Sequence, residues 1–107
     1  MRYTIIFHPK ARASLIGIYD YYAEKAGTEI AEKIVSDLHT FCIGLNRFPH
    51  RGTRRDDLYP GLHTLGYKKR ATITFTVKDD EQKVVIMGIY YGGQDFEHDV
   101  EIDEGNL

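Results

Sequence analysis

Cys42 is the one cysteine in 107 residues, so no internal disulfide can staple the fold. Long hydrophobic runs are missing too. The N-terminal stretch MRYTIIFHPKAR has an apolar core of four residues at most, too short for a secretory signal or a membrane span. These absences predict a cytoplasmic protein with no membrane partner. The histidines (His8, His39, His50, His63, His98) fall at no metal-ligand spacing and have no second cysteine to join them, so no metal site is expected. No glycine-rich phosphate loop opens a helix, because Gly92-Gly93 follows a strand-like run with no long helix after it. No Ser-His-Asp arrangement, internal repeat or low-complexity linker is present. No cofactor is expected, since a chain of this length makes one domain, residues 1–107, with one modest core.

Apolar residues make up 42 % of the chain and charged residues 28 %, the balance of an ordinary globular domain. Arg2 to Phe7 alternates, which predicts a strand. Pro9 suits the first turn of a helix, and Ala11, Leu15, Ile18 and Tyr22 make one apolar stripe along it. Gly17 inside this stripe costs about 1 kcal/mol relative to alanine and either permits close helix packing or is incidental. Gly27 ends the helix and Thr28 caps a second, whose buried face is Ile30, Ile34, Leu38, Phe41 and Leu45 and whose end is Phe48-Pro49. A polar loop from Pro49 to Gly61 leads to a strand at Leu62–Tyr67, a turn at Lys68-Lys69, and an alternating strand at Ala71–Val77. There Ile73, Phe75 and Val77 face one way and Thr72, Thr74 and Thr76 the other. Val84–Tyr91 is the most apolar strand and is placed centrally. The predicted architecture is α+β: an N-terminal strand, then a two-helix hairpin packed on one face of a mainly antiparallel sheet.

The net charge of −2 conceals an asymmetry. Arg47, Arg51, Arg54, Arg55, Lys68, Lys69 and Arg70 crowd one stretch against only Asp56 and Asp57. The tail from Asp95 carries six acids and no Lys or Arg. A basic middle points to an acidic or polyanionic partner, or to a solvated face balanced by its own acidic tail. The tail can also shield the basic face.

The tract RRDDLYPGL (Arg54 to Leu62), the strands after it and the two helices before it resemble the RelE/ParE superfamily of toxin–antitoxin toxins. The likeness runs over residues 1 to about 100. It is nearer the ParE-like, plasmid-stabilisation branch, whose RxDLxPGLR pattern the tract follows until His63 stands in place of the final arginine. The resemblance implies a toxin that binds a target protein, DNA gyrase, and is neutralised by a cognate antitoxin. The antitoxin would meet Leu15, Tyr19 and Tyr22 with apolar anchors, and Arg51, Arg54, Arg55, Lys68, Lys69 and Arg70 with acidic ones. The RelE-like alternative is an endoribonuclease acting on mRNA, at the ribosome or free. It would use Arg70 to stabilise the phosphate and Tyr91 in acid–base work. A third reading is a non-toxic member that only binds its partner.

Overall fold

A computed structural model describes residues 2–92; the acidic tail, with Phe96 and His98, lies outside the described residues. The chain runs β1 (Thr4–Phe7), α1 (Pro9–Ala26), α2 (Thr28–Ile43), a short 3-10 turn (Gly44–Asn46), β2 (Thr53–Arg54), β3 (Leu62–Tyr67), β4 (Ala71–Lys78) and β5 (Lys83–Tyr91). The sheet order is β1-β5-β4-β3-β2. Only β1 runs parallel to its neighbour, β5; the other pairs are antiparallel. The predicted α+β architecture holds, with the helix hairpin on one sheet face.

The local chemistry explains the boundaries. The His8 imidazole Nδ1 accepts from the Lys10 amide at 3.0 Å while the His8 amide donates to Ile86 O at 2.9 Å, so one residue caps α1 and ties it to β5. Gly27, at φ +97°, closes α1 through its amide to Ala23 O at 3.2 Å and is also the N-cap of α2. That corrects the expected role of Thr28, which is the first helical residue. A single left-handed residue, cheap only for glycine, reverses the chain.

Ala11, Ile18, Leu38, Cys42 and Leu45 pack against Ala71, Ile73, Phe75, Val84, Ile86 and Ile89 in one core. Leu15, Tyr22, Ile34 and Phe41 flank it, half-buried. Two helix expectations need correction. Ile30 is 51 % exposed; it sits in the first turn of α2, and Ala31 beside it is the residue buried there. Helix α2 ends at Ile43, before Phe48-Pro49, because the chain tightens at Gly44 into the 3-10 turn that buries Leu45.

The sheet departs from plain alternation at Met87. Phe75 pairs with Ile86 but Thr74 pairs with Gly88, so β5 carries one extra residue. Such a bulge changes which side chains face the core. Val84 and Ile86 face the helices before it, Ile89 and Tyr91 after it. Met87 joins Leu58, Tyr59 and Leu62 in a small cluster of their own. Thr74, on the face opposite Ile73 and Phe75, is also fully buried, and its hydroxyl donates to Gly88 O at 3.4 Å. Strand β5 lies between β1 and β4, interior as expected, although β4 holds the middle place.

Candidate functional site

The end of the sheet where β4 begins and β5 finishes gathers most of the chemistry. Lys68 and Lys69 turn the chain at φ 48° and 56°, left-handed values that cost a non-glycine residue about 1 kcal/mol or more each. Arg70 completes the turn with its amide on Tyr67 O at 2.9 Å, and its carbonyl accepts from the Gly92 amide at 2.8 Å. The end of β5 is thereby fastened beside the basic turn. All three cations are exposed. Lys68 Nζ lies 5.3 Å from the Tyr67 ring centroid, and Tyr67 packs in turn on Phe41.

Helix α1 supplies the facing wall. Tyr21 and Tyr22 meet edge-on at 4.9 Å, and Tyr22 meets Tyr91 edge-on at 5.3 Å. These rings and the small residues Ala13, Ser14 and Gly17 line a half-open cavity of about 570 Å³. The Tyr22 hydroxyl is pushed above its ordinary pKa by burial, then by the neighbouring Tyr91 and Tyr21 phenols; the Arg70 charge works the other way. The guanidinium therefore stands within electrostatic reach of the phenol.

The remaining candidates lie elsewhere. Arg54 pairs with Asp56 at 2.9 Å, and Arg55 grips Asp57 through two bonds of 3.0 and 2.9 Å. Asp56 also accepts the Gly61 amide at 2.8 Å. Both carboxyls are held below the ordinary range, chiefly by these arginine bonds. The Arg54–Gly61 tract is thus a self-paired loop at the start of β3, a strand's length from Arg70. Arg51 is exposed, and its carbonyl accepts from His63 Nδ1 at 3.1 Å. Leu15 belongs to the core margin, and Tyr19 is half-buried. The structure brings Arg70, Tyr22 and Tyr91 together, with Lys68 and Lys69 on the same turn but Lys68 reaching Tyr67 instead; it sets Arg51, Arg54 and Arg55 apart from them.

Two features went unread in the sequence. Tyr21 and Gly17 help form the cavity; the spacing of Ala13, Gly17 and Tyr21 by fours marks that helix face. At the opposite end of the sheet, Asp79 Oδ1 accepts from both the Tyr3 hydroxyl and His50 Nε2 at 2.7 Å, a joint between segments 76 and 29 residues apart that no local pattern announces. His63 lies beside it, stacked on Phe75 at 5.2 Å. Burial pushes the Cys42 thiol up to about 12, which leaves it an unreactive packing residue. Among the described residues no group of three or more His, Cys, Asp or Glu is placed to hold a metal, and no helix is long and apolar enough to cross a membrane.

Residues 5–96 match the family model described as the ParE toxin of the type II toxin–antitoxin system parDE. The chain belongs to the ParE toxin family. Among solved structures, this ParE-family chain is similar to the chromosomal ParDE toxin–antitoxin system of P. aeruginosa, with 28 % identity, a TM-score of 0.72, and 85 % of this chain and 97 % of that one covered. The RelBE2 toxin–antitoxin complex of Mycobacterium tuberculosis shares the fold at 19 % identity and a TM-score of 0.64, covering 85 % and 99 %. A free-state variant of the E. coli toxin RelE shares it at 13 % identity and a TM-score of 0.61, covering 97 % and 98 %. No curated protein sequence matches the chain. It is a toxin of the ParE/RelE type, on the scaffold that the resemblance implied.

Proposed function

We propose that this ParE-family toxin acts in the cytoplasm by gripping a target protein, DNA gyrase, and is held in check by a cognate antitoxin laid across α1 and the basic end of the sheet. The observation that carries this reading is the make-up of that end: an exposed Lys68-Lys69-Arg70 turn beside a tyrosine-walled cavity. An arginine beside an aromatic recess, with more positive charge along the same turn, is the make-up of a protein-binding hot spot.

Cleavage of RNA needs a base near neutral pH. Tyr91, the residue the ribonuclease reading would use, is packed edge-on against Tyr22, whose own phenol is raised by burial and suits that task poorly. Among the described residues the imidazoles are engaged elsewhere: His8 caps α1, His39 stacks on Phe7 at 5.1 Å, and His50 and His63 lie at the far end of the sheet. The ribonuclease reading keeps one observation in its favour, the closeness of Arg70 to Tyr22 and Tyr91. Antitoxin binding is supported by the ParDE system and the RelBE2 complex among the similar structures.

Two assays test the proposal. Purified toxin should inhibit supercoiling of relaxed plasmid by gyrase at micromolar concentration, and added antitoxin should restore it. Primer extension on mRNA from growth-arrested cells should show no toxin-dependent ends. Discrete new ends that vanish with Arg70→Ala would establish the ribonuclease, and unaffected growth at verified soluble levels would mark a non-toxic member.

A further inference from the structure

Gly17 is the oddity from which the inference starts. A glycine in a helix interior costs about 1 kcal/mol relative to alanine, and it is usually tolerated where another backbone comes close. Here a Cβ added at Gly17 would meet nothing within 4 Å. Helix packing therefore does not require it. Gly17 instead lies on the floor of the cavity, with Ala13 and Ser14, and any longer side chain there would grow into that space.

The walls say what the space suits. Tyr21, Tyr22 and Tyr91 meet edge-on in series, at interplanar angles of 78° and 81°, the arrangement aromatic rings prefer. Tyr21 is 56 % exposed, so part of its ring is left for an incoming group. The volume, about 570 Å³, falls within the ~300–1,000 Å³ of ordinary ligand sites. At the rim, the Gly92 amide holds the Arg70 carbonyl, and among the described residues Arg70 makes no ion pair with an acid. Lys68 and Lys69 extend the positive charge along the same turn.

We infer that this cavity is the anchor pocket of the antitoxin: it takes one aromatic side chain, with a carboxylate of the same segment seated on Arg70. This rests on the reading of the chain as a toxin held by an antitoxin, and it goes further by naming the pocket and the chemistry that fills it. The small floor sets how deep the ring sits, and the three tyrosines give it edge and face contacts. The cationic turn selects an acidic sequence beside the anchor and speeds the encounter.

The test uses the full chain and two probes. The first is 3-phenylpropionate, a minimal aryl carboxylate, followed by amide NMR, with 3-phenylpropanamide as the uncharged control. The acid should shift the signals of Ser14, Gly17, Tyr91 and Gly92 at millimolar concentration, and the amide should bind several-fold more weakly. Gly17→Leu should abolish both responses while its melting temperature holds or rises, because leucine favours a helix more than glycine does. Arg70→Gln should erase the preference for the acid over the amide. The second probe is the intact cognate antitoxin, taken from the reading frame next to the toxin gene if one is found there. Gly17→Leu should weaken it by ~30-fold or more, the loss typical of a buried hot-spot residue. Shifts scattered away from these residues, or unchanged in Gly17→Leu, would overturn the pocket. So would equal antitoxin affinity for wild type and Gly17→Leu, which leaves the toxin reading standing. Failure of wild type to bind its antitoxin at all would instead sink the toxin reading beneath it.

Discussion

Tyr22 of α1 stands edge-on against Tyr91 at the end of β5, ring centroids 5.3 Å apart and planes at 81°. The contact locks the helix hairpin to the strand end that Arg70 fastens from the other side. Such a pair contributes about 0.5–1.5 kcal/mol beyond its buried area. Tyr91→Leu should therefore lower stability by about 1–2 kcal/mol in urea melts, whereas Tyr91→Phe should stay within about 0.5 kcal/mol of wild type. If Tyr91 served only in acid–base work, both variants would lose function equally with no change in stability.

Lys68 and Lys69 hold left-handed backbone that glycine adopts freely. Lys69→Gly should keep or raise stability, by up to about 1 kcal/mol, and weaken antitoxin and target binding several-fold as measured by calorimetry. The lysine is then a residue whose local strain is retained for its charge.

Gly52 sits at φ +78°, and a Cβ there would collide with the Thr64 carbonyl. Gly52→Ala should cost about 1–3 kcal/mol and detach β2 from β3. Loss of hydrogen-exchange protection confined to the Thr53 and Thr64 amides would show this.

Asp79 is held below the ordinary carboxylate range by its bond from Tyr3 first and from His50 second, and the same bond raises Tyr3. A lowered acid stabilises the fold above its unfolded-state pKa. That contribution fades as pH falls from the ordinary range through Asp79's own lower value. Tyr3 has the opposite sign: its contribution is complete below the ordinary tyrosine pKa and is lost as pH rises through its raised one. The melting-temperature gap between wild type and Asp79→Asn should be widest near neutrality and close toward both acid and strong alkali. A gap independent of pH would refute the joint.

Cys42 is fully buried, and its thiol is pushed up to about 12. Native protein should react with Ellman's reagent at pH 8 only at the rate of unfolding, and fast labelling would contradict the packing of α2 against the sheet.

Much of this fold is legible locally. The stripe of Ala11, Ile18 and Tyr22, the Gly27 reversal, the threonine-alternating strand β4 and the Lys68-Lys69 turn all follow from spacing and turn chemistry. What escaped was non-local. The bulge at Met87 turns Tyr91 toward Tyr22, yet VVIMGIYY reads as an unbroken apolar run. The Tyr3–Asp79–His50 joint unites three distant segments. Within the basic stretch, composition does not separate Arg54 and Arg55, spent on Asp56 and Asp57, from Arg70, which faces the tyrosines. Only the strand pairing puts them at opposite ends of β3.

The most direct measurement is gyrase supercoiling titrated with wild-type toxin and with a Lys68→Glu, Lys69→Glu, Arg70→Glu variant of verified melting temperature. Inhibition at micromolar wild type, lost in the charge-reversed protein, is the predicted result. Equal inhibition by both, or none by either, would contradict the claim that this turn is how the toxin seizes its target.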